Sequence, residues 1–380
     1  MRRVIVLGLV VLMLALAGCA DGGLDDGTDT PLDTDTPTPT DVEDTETETS
    51  TETPSTPTAT DTQTETPDES PADTHGDLEI HHIDGGQADA TLLITPDGET
   101  ILIDSGDFRE SGATVIEYLD AHDIDRIDHL IATHAHADHI GGHAAIIEHF
   151  EEDKDGIGAA YDSGVPHDTA TYENYLDAID EYDVQLLIVE EGDELPLDDE
   201  TVRAPILNPL SEDERPDNMA YDLHYNSVTI LFEFGDVRYL TTGDAEVDAE
   251  ERMVADAGDA LQADIYHAGH HGSSTSSTEA FMTEVQPETA IISSDFDSRF
   301  GHPHDEVLER FDDHGIETYW TGIHGDIVVT TDGTDTAFET TEEFSTDPSD
   351  IQDEKPTDED ASVGVVIPTI DALGVAISGA

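Results

Sequence analysis

Three imidazoles and a carboxylate fall within six residues, His134-Ala135-His136-Ala137-Asp138-His139, and no other feature constrains the chain as tightly. The run follows His129-Leu130-Ile131-Ala132-Thr133, which reads as a buried strand, and precedes Gly141-Gly142, which reads as the opening of a helix. A loop at a strand end can turn several ligating side chains towards one point while the flanking segments stay buried. Alternation along an extended loop puts His134 and His136 on one side, where both reach one ion, and turns Asp138 and His139 towards a second. Neutral imidazole nitrogens and a carboxylate oxygen are ligands for zinc and similar divalent ions. A surface cluster in a chain with 19 histidines is the plain alternative, and it leaves the spacing unexplained.

The surrounding pattern alternates strands with helices from Gly76 to about Glu342. Leu78-Glu79-Ile80-His81-His82-Ile83, Ala90-Thr91-Leu92-Leu93-Ile94 and Thr100-Ile101-Leu102-Ile103-Asp104 make a strand meander, with Pro96-Asp97-Gly98 as a turn. Ser111 is the expected cap of a helix that carries Val115, Ile116 and Leu119 on one face. Trp320 is expected in the core, and His143 and His149 on a helix surface.

Outside this region the chain has little to bury. Residues 20–75 hold 18 Thr and 17 Asp+Glu with no Lys or Arg, so residues 19–75 read as a disordered tether. Residues 339–359 read as a second disordered acidic stretch, and residues 343–380 as an acidic tail ending in a short apolar segment. Over the whole chain, 91 Asp+Glu against 12 Lys+Arg give a net charge of −79, a balance suited to molar salt and incompatible with a cationic nucleic-acid groove. Residues 1–18, a basic start and an apolar run, read as an export signal ending at Leu16-Ala17-Gly18-Cys19. That ending resembles a lipobox, which implies lipidation of Cys19 and anchoring at the extracellular face of the cell membrane. With a single cysteine, no disulfide framework is available.

Around the histidine run the sequence resembles the metallo-β-lactamase superfamily. Asp104 in Leu102-Ile103-Asp104-Ser105-Gly106 matches an acidic residue that supports the metal loop, Asp244 in Thr242-Gly243-Asp244 matches a carboxylate bridging two ions, and His270 matches the last histidine ligand. Asp84 to Ala90, Asn226-Ser227-Val228, Gly243-Asp244, His270-His271-Gly272-Ser273 with Ser276-Ser277, and Gly301-His302-Pro303 resemble the extracellular hydrolase domain of the ComEC/Rec2 DNA-uptake family. Gly85 and Ala88 depart from that branch, and His136 stands where many of its members carry Asp, which favours zinc over manganese. The chain shows no multi-span channel segment, so hydrolysis is implied and conduction of DNA is not; a separate membrane channel protein would be the partner for uptake.

The resemblance implies an αββα sandwich in residues 76–342, with two divalent metal ions, zinc or manganese, held by His134, His136, Asp138, His139, Asp244 and His270. A metal-held hydroxide would be the nucleophile, and Asp138 would take its proton. His271, Ser273, Ser276 and His302 are candidates to steady a phosphoryl oxygen, and His271 or His302 to protonate the leaving group. A further ligand is expected near His224 or Asn226, with a solvent-facing His224 as the alternative. A helix cap is expected among Ser274, Thr275, Ser276 and Ser277. The functional readings are a nuclease or phosphodiesterase on extracellular DNA, a hydrolase of a small ester, lactone or phosphoester, and a non-catalytic surface binding protein.

Overall fold

A computed structural model of the protein describes residues 75–356, which lie in the second of two compact units of the chain, Thr66–Ala380. The signal segment, Cys19, the tether up to residue 74 and residues 357–380 lie outside the described residues.

The first half runs β1 (Leu78–His82), β2 (Thr91–Ile94), β3 (Thr100–Ile103), α1 (Ala113–Ala121), β4 (Ile127–Ile131), α2 (His143–Asp153), β5 (Ile157–Asp162), α3 (Ala170–Glu181) and β6 (Leu186–Ile188). There follow β7 (Val202–Arg203), β8 (Ile206–Asn208), β9 (Thr229–Phe234), β10 (Val237–Thr241), α4 (Val247–Ala257), β11 (Ile265–His267), α5 (Glu279–Val285), β12 (Thr289–Ile292), α6 (Asp305–His314), β13 (Glu317–Trp320), α7 (Thr321–His324), β14 (Ile327–Thr331), β15 (Thr336–Thr340) and α8 (Pro348–Glu354). One sheet has the order β15-β14-β1-β2-β3-β4-β5-β6; the other has β13-β12-β11-β10-β9-β7, with β8 also on β9.

Alternation within single strands builds the layers. In β3, Ile101 and Ile103 face the core between the sheets, against Phe232, Tyr239 and Ile265, while Leu102 faces outwards against Leu119 and Phe150 of the first helical layer. On the other sheet, Leu240 and Tyr266 face outwards against Met253, Phe281 and Phe311. Each such fully buried side chain contributes about 1.5–3 kcal/mol of apolar burial. The result is the expected four-layered sandwich, with Trp320 fully buried.

Several local expectations differ. The strand before the histidine run is Ile127–Ile131, two residues earlier than the apolar run suggests, because Thr133 N donates to Asp104 Oδ1 instead of to a neighbouring strand. Ser111 does not cap α1; Gly112 holds that position, and the Ser111 hydroxyl donates to Phe108 O. The cap of α5 is Thr278, one residue beyond the expected stretch. The acidic stretch expected to be disordered takes in the end of β15 (Thr336–Thr340) and all of α8 (Pro348–Glu354). Asp347 caps α8, Pro348 starts it and Ile351 is fully buried with Val307 and Phe311, so one apolar anchor and a good cap order a segment whose composition argues otherwise.

Candidate metal centre

β3, β4, β5 and β6 run parallel in one sheet, and β10, β11, β12 and β13 in the other. The chemistry sits just past the carboxyl ends of these strands: Asp104 after β3, His134 to His139 after β4, Asp244 after β10, and His270 and His271 after β11. The backbone there is strained, with Asp104 at φ 57°, His270 at 51° and His271 at 57°. Left-handed non-glycine residues cost about 1–3 kcal/mol each and persist only when the surroundings fix them. Here Asp104 N donates to Ile131 O, and His270 N to Gly243 O. Gly243, at φ 49°, has no room for a side chain: a Cβ would lie 2.4 Å from Ser227 Oγ.

Among the described residues three groups of donor atoms lie within 4.8 Å of one another; His224, Glu246 and His270 form one at the outer edge, and the other two share a residue. His134, His136, His224 and Asp244 form the first; Asp89, His139, Asp244 and His271 form the second. Asp244 belongs to both. Its Oδ2 lies 3.6 Å from His134 Nε2, and its Oδ1 lies 3.1 Å from His139 Nε2 and 3.9 Å from His271 Nε2. One carboxylate oxygen therefore faces each group. Asp138 flanks the second group on its solvent side, with Oδ2 3.6 Å from His271 Nε2.

The donor set fits divalent cations. His139 Nε2, His271 Nε2, His224 Nε2, Asp244 Oδ1 and Asp89 Oδ1 are buried without a hydrogen-bond partner. Five orphaned polar atoms in one centre would be costly in a protein interior, and a coordinated ion satisfies such atoms. Burial works against charge on His139 and His271, yet nearby carboxylates, chiefly Asp244 for the first and Asp89 for the second, push both imidazoles well above their ordinary range. Asp244 is held well below the carboxylate range by its four histidine neighbours, despite its burial. Burial and its histidine neighbours lower His136 to about 4, leaving a neutral donor. Protons on His139 and His271 thus balance buried carboxylates, and a metal cation would displace them.

The supporting contacts explain the orientation of these groups. Asp104 Oδ2 lies 2.7 Å from His139 Nδ1 and also accepts from Thr133 Oγ1, so His139 turns Nε2 towards Asp244. Glu246 Oε1 lies 3.1 Å from His270 Nδ1 and 3.4 Å from His224 Nδ1. That carboxylate directs the opposite nitrogen of both rings inwards, His270 Nε2 coming 3.6 Å from Asp244 Oδ2.

Of the residues singled out from sequence, His134, His136, His139 and Asp244 come together in the two groups, and His224 joins them. Asn226 instead donates its amide to Met219 O and Asp222 O, fixing the turn that carries His224. The last histidine differs from expectation: His271 enters the second group, and His270 sits at the outer edge with Glu246 and His224, because two successive left-handed residues point the rings apart. Ser276 is not placed for substrate, since it is fully buried and its hydroxyl donates to Ala245 O. Ser273 is buried beside Thr275 Oγ1. His302 lies near the centre, its ring 6.2 Å from His271 and 5.8 Å from His270. His143, expected on the surface, is fully buried with Nδ1 2.6 Å from Ser105 Oγ. Asp89 and Glu246 escaped sequence reading in this role; their one signal was adjacency to Gln87-Ala88 and Gly243-Asp244 in an acid-rich chain.

Residues 83–294 match the family model described as the metallo-beta-lactamase superfamily. The chain is 31% identical over 265 residues to ComE operon protein 3 of Bacillus subtilis (strain 168), covering 66% of this chain and 32% of that protein. It is 28% identical over 255 residues to Recombination protein 2 of Haemophilus influenzae, covering 66% and 28%. The chain thus spans about a third of the length of these curated relatives. Among solved structures, the metallo-beta-lactamase fold protein YhfI from Bacillus subtilis matches with a TM-score of 0.41 and 14% identity, over 64% of this chain and 96% of that one.

Proposed function

The chain belongs to the metallo-β-lactamase superfamily, and on that premise we propose that it is a metal-dependent phosphodiesterase acting on extracellular DNA, held at the outer face of the cell membrane by lipidated Cys19. The observation that carries the proposal is the Asp244 carboxylate, with one oxygen turned to each of two histidine groups. The motifs resembling the DNA-uptake family support a nucleic-acid substrate.

Two divalent ions, zinc or manganese, would polarise a phosphoryl oxygen and bring the pKa of a water near neutrality. His134, His136, His224 and Asp244 would hold one ion; His139, His271, Asp89 and Asp244 would hold the other. Asp138 is the group to accept the proton of the attacking water. It is held at about 2, the histidine neighbours His271 and His139 outweighing its burial, and its side chain keeps 31% of its surface open to solvent. His302 acts differently from a general acid. Burial and the neighbouring His271 lower it to about 3, so it is neutral. Gln87 Nε2 lies 3.3 Å from its Nδ1 and can only donate, so Nδ1 accepts and Nε2 keeps a proton to hold a phosphoryl oxygen.

The scarcity of cations, 12 Lys+Arg in all, favours a second reading in which the substrate is a small ester, lactone or phosphoester. The test is cleavage of labelled single- and double-stranded DNA by the full-length protein in molar salt with Mn²⁺ or Zn²⁺, beside His136→Ala. Cleavage lost in the variant supports the nuclease. Bound metal with intact DNA moves the assignment to a small substrate, and absence of both metal and turnover leaves a surface binding protein.

A further inference from the structure

Arg299 stands apart in this anionic chain. Every other described lysine and arginine reaches a carboxylate or a backbone carbonyl. Among the described residues, Arg299 alone of the cations has its guanidinium over an aromatic ring, that of Phe300 at 4.6 Å, and no anionic partner. Phe300 is itself 50% exposed, although burying it would gain about 1.5–3 kcal/mol. Arg109 over Phe108 makes a similar pair, but Asp107 neutralises it.

The position of the Arg299 pair is equally specific. The Phe300 ring lies 5.7 Å from the His302 ring at an interplanar angle of 31°, and His302 lies 6.2 Å from His271 at 24°. Four planar groups therefore step from solvent to the second ligand group. Gly301, at φ 77°, makes the turn that sets Phe300 outside and His302 inside.

We propose that Arg299 and Phe300 form a subsite that stacks an unpaired nucleobase next to the phosphate being cleaved, which makes single-stranded DNA the favoured substrate. This rests on the nuclease reading above. The outer face of the planar guanidinium, held over the Phe300 ring, is a surface on which any base stacks, and the unpartnered charge attracts the adjoining phosphate. In molar salt stacking persists while long-range attraction is screened, so a stacking subsite suits a chain without a basic groove.

The test uses the full-length protein and a single-stranded oligonucleotide carrying 2-aminopurine, with binding followed by fluorescence without added metal and cleavage followed with Mn²⁺ or Zn²⁺. Wild type is expected to quench the fluorophore. Phe300→Ala should abolish the quenching and weaken binding about tenfold, and Phe300→Trp should restore both. Phe344→Ala, which alters an exposed phenylalanine packed on His324, should quench as wild type does. Cleavage should fall about tenfold more for the base-bearing strand than for an abasic strand of equal length. The subsite is wrong if wild type does not quench, or if Phe300→Ala quenches as wild type does. Quenching that depends on Phe300 without any cleavage by wild type would sustain the subsite and sink the nuclease. Cleavage by wild type with an unaltered base-to-abasic ratio in Phe300→Ala would do the reverse.

Discussion

The two ligand groups share Asp244 but differ in how they are held. Asp89, His139 and His271 of the second group are buried on all sides, whereas His136 and His224 of the first are only partly covered. His139 is fixed by Asp104, itself buried and strained between β3 and the metal loop. His224 depends on Glu246, a carboxylate one-third exposed on its side chain, which serves His270 as well. The inner group is thus set by the core of the sandwich and the outer one by surface loops, so adaptability belongs to the outer group.

The largest effect should come from the residue both groups share. Asp244→Asn is expected to lower metal content at both groups and kcat/KM by more than about 100-fold, beyond the range for an outer partner. Metal analysis of the purified variant beside its kinetics checks this; retention of full metal content would show that the groups do not share a ligand. Next come the two supporting carboxylates, which put the comparison at risk. Asp104→Asn should weaken metal affinity by about 100-fold and Glu246→Gln by about tenfold, the two ends of the range for such partners. Titration of the apoprotein with Zn²⁺ or Mn²⁺ ranks them, and a larger loss from Glu246→Gln would overturn the contrast drawn between the groups.

The smallest effect lies behind the first group. Asp162 ends β5 and lines a small cavity with His134 and Tyr172; burial raises it to about 6, and the Gly164 N–H bond opposes this only in part. The folded chain therefore holds this proton at a pH where the unfolded chain releases it. Its contribution is complete below about pH 4 and lost as the pH rises through about 6, amounting to at most about 3 kcal/mol. Asp162→Asn keeps the acceptor for Gly164 N and should flatten the fall in melting temperature across that window. A pH profile of melting identical to wild type would count against the burial argument.

Much of the centre was legible along the chain. His134, His136 and His139 are neighbours in sequence, and a strand running into a glycine pair announces the loop that presents them. Asp244 was legible from its match to a motif, and its place at the end of β10 agrees with that match. Asp89 and Glu246 were not, because a carboxylate in so acidic a chain carries little signal until something is placed opposite it. The order of His270 and His271 was hidden for a different reason. Which ring turns inwards depends on two left-handed backbone conformations that the Gly243 carbonyl and the following turn impose.

Sequence alone determined the alternating elements and the strand-end loop of ligands, since each follows from local periodicity and from residues close together in the chain. Tertiary structure decided which carboxylates complete the groups, and that His224 and not Asn226 joins them. Those contacts join two sheets folded from separate parts of the chain, and their geometry is fixed only when the sheets pack face to face.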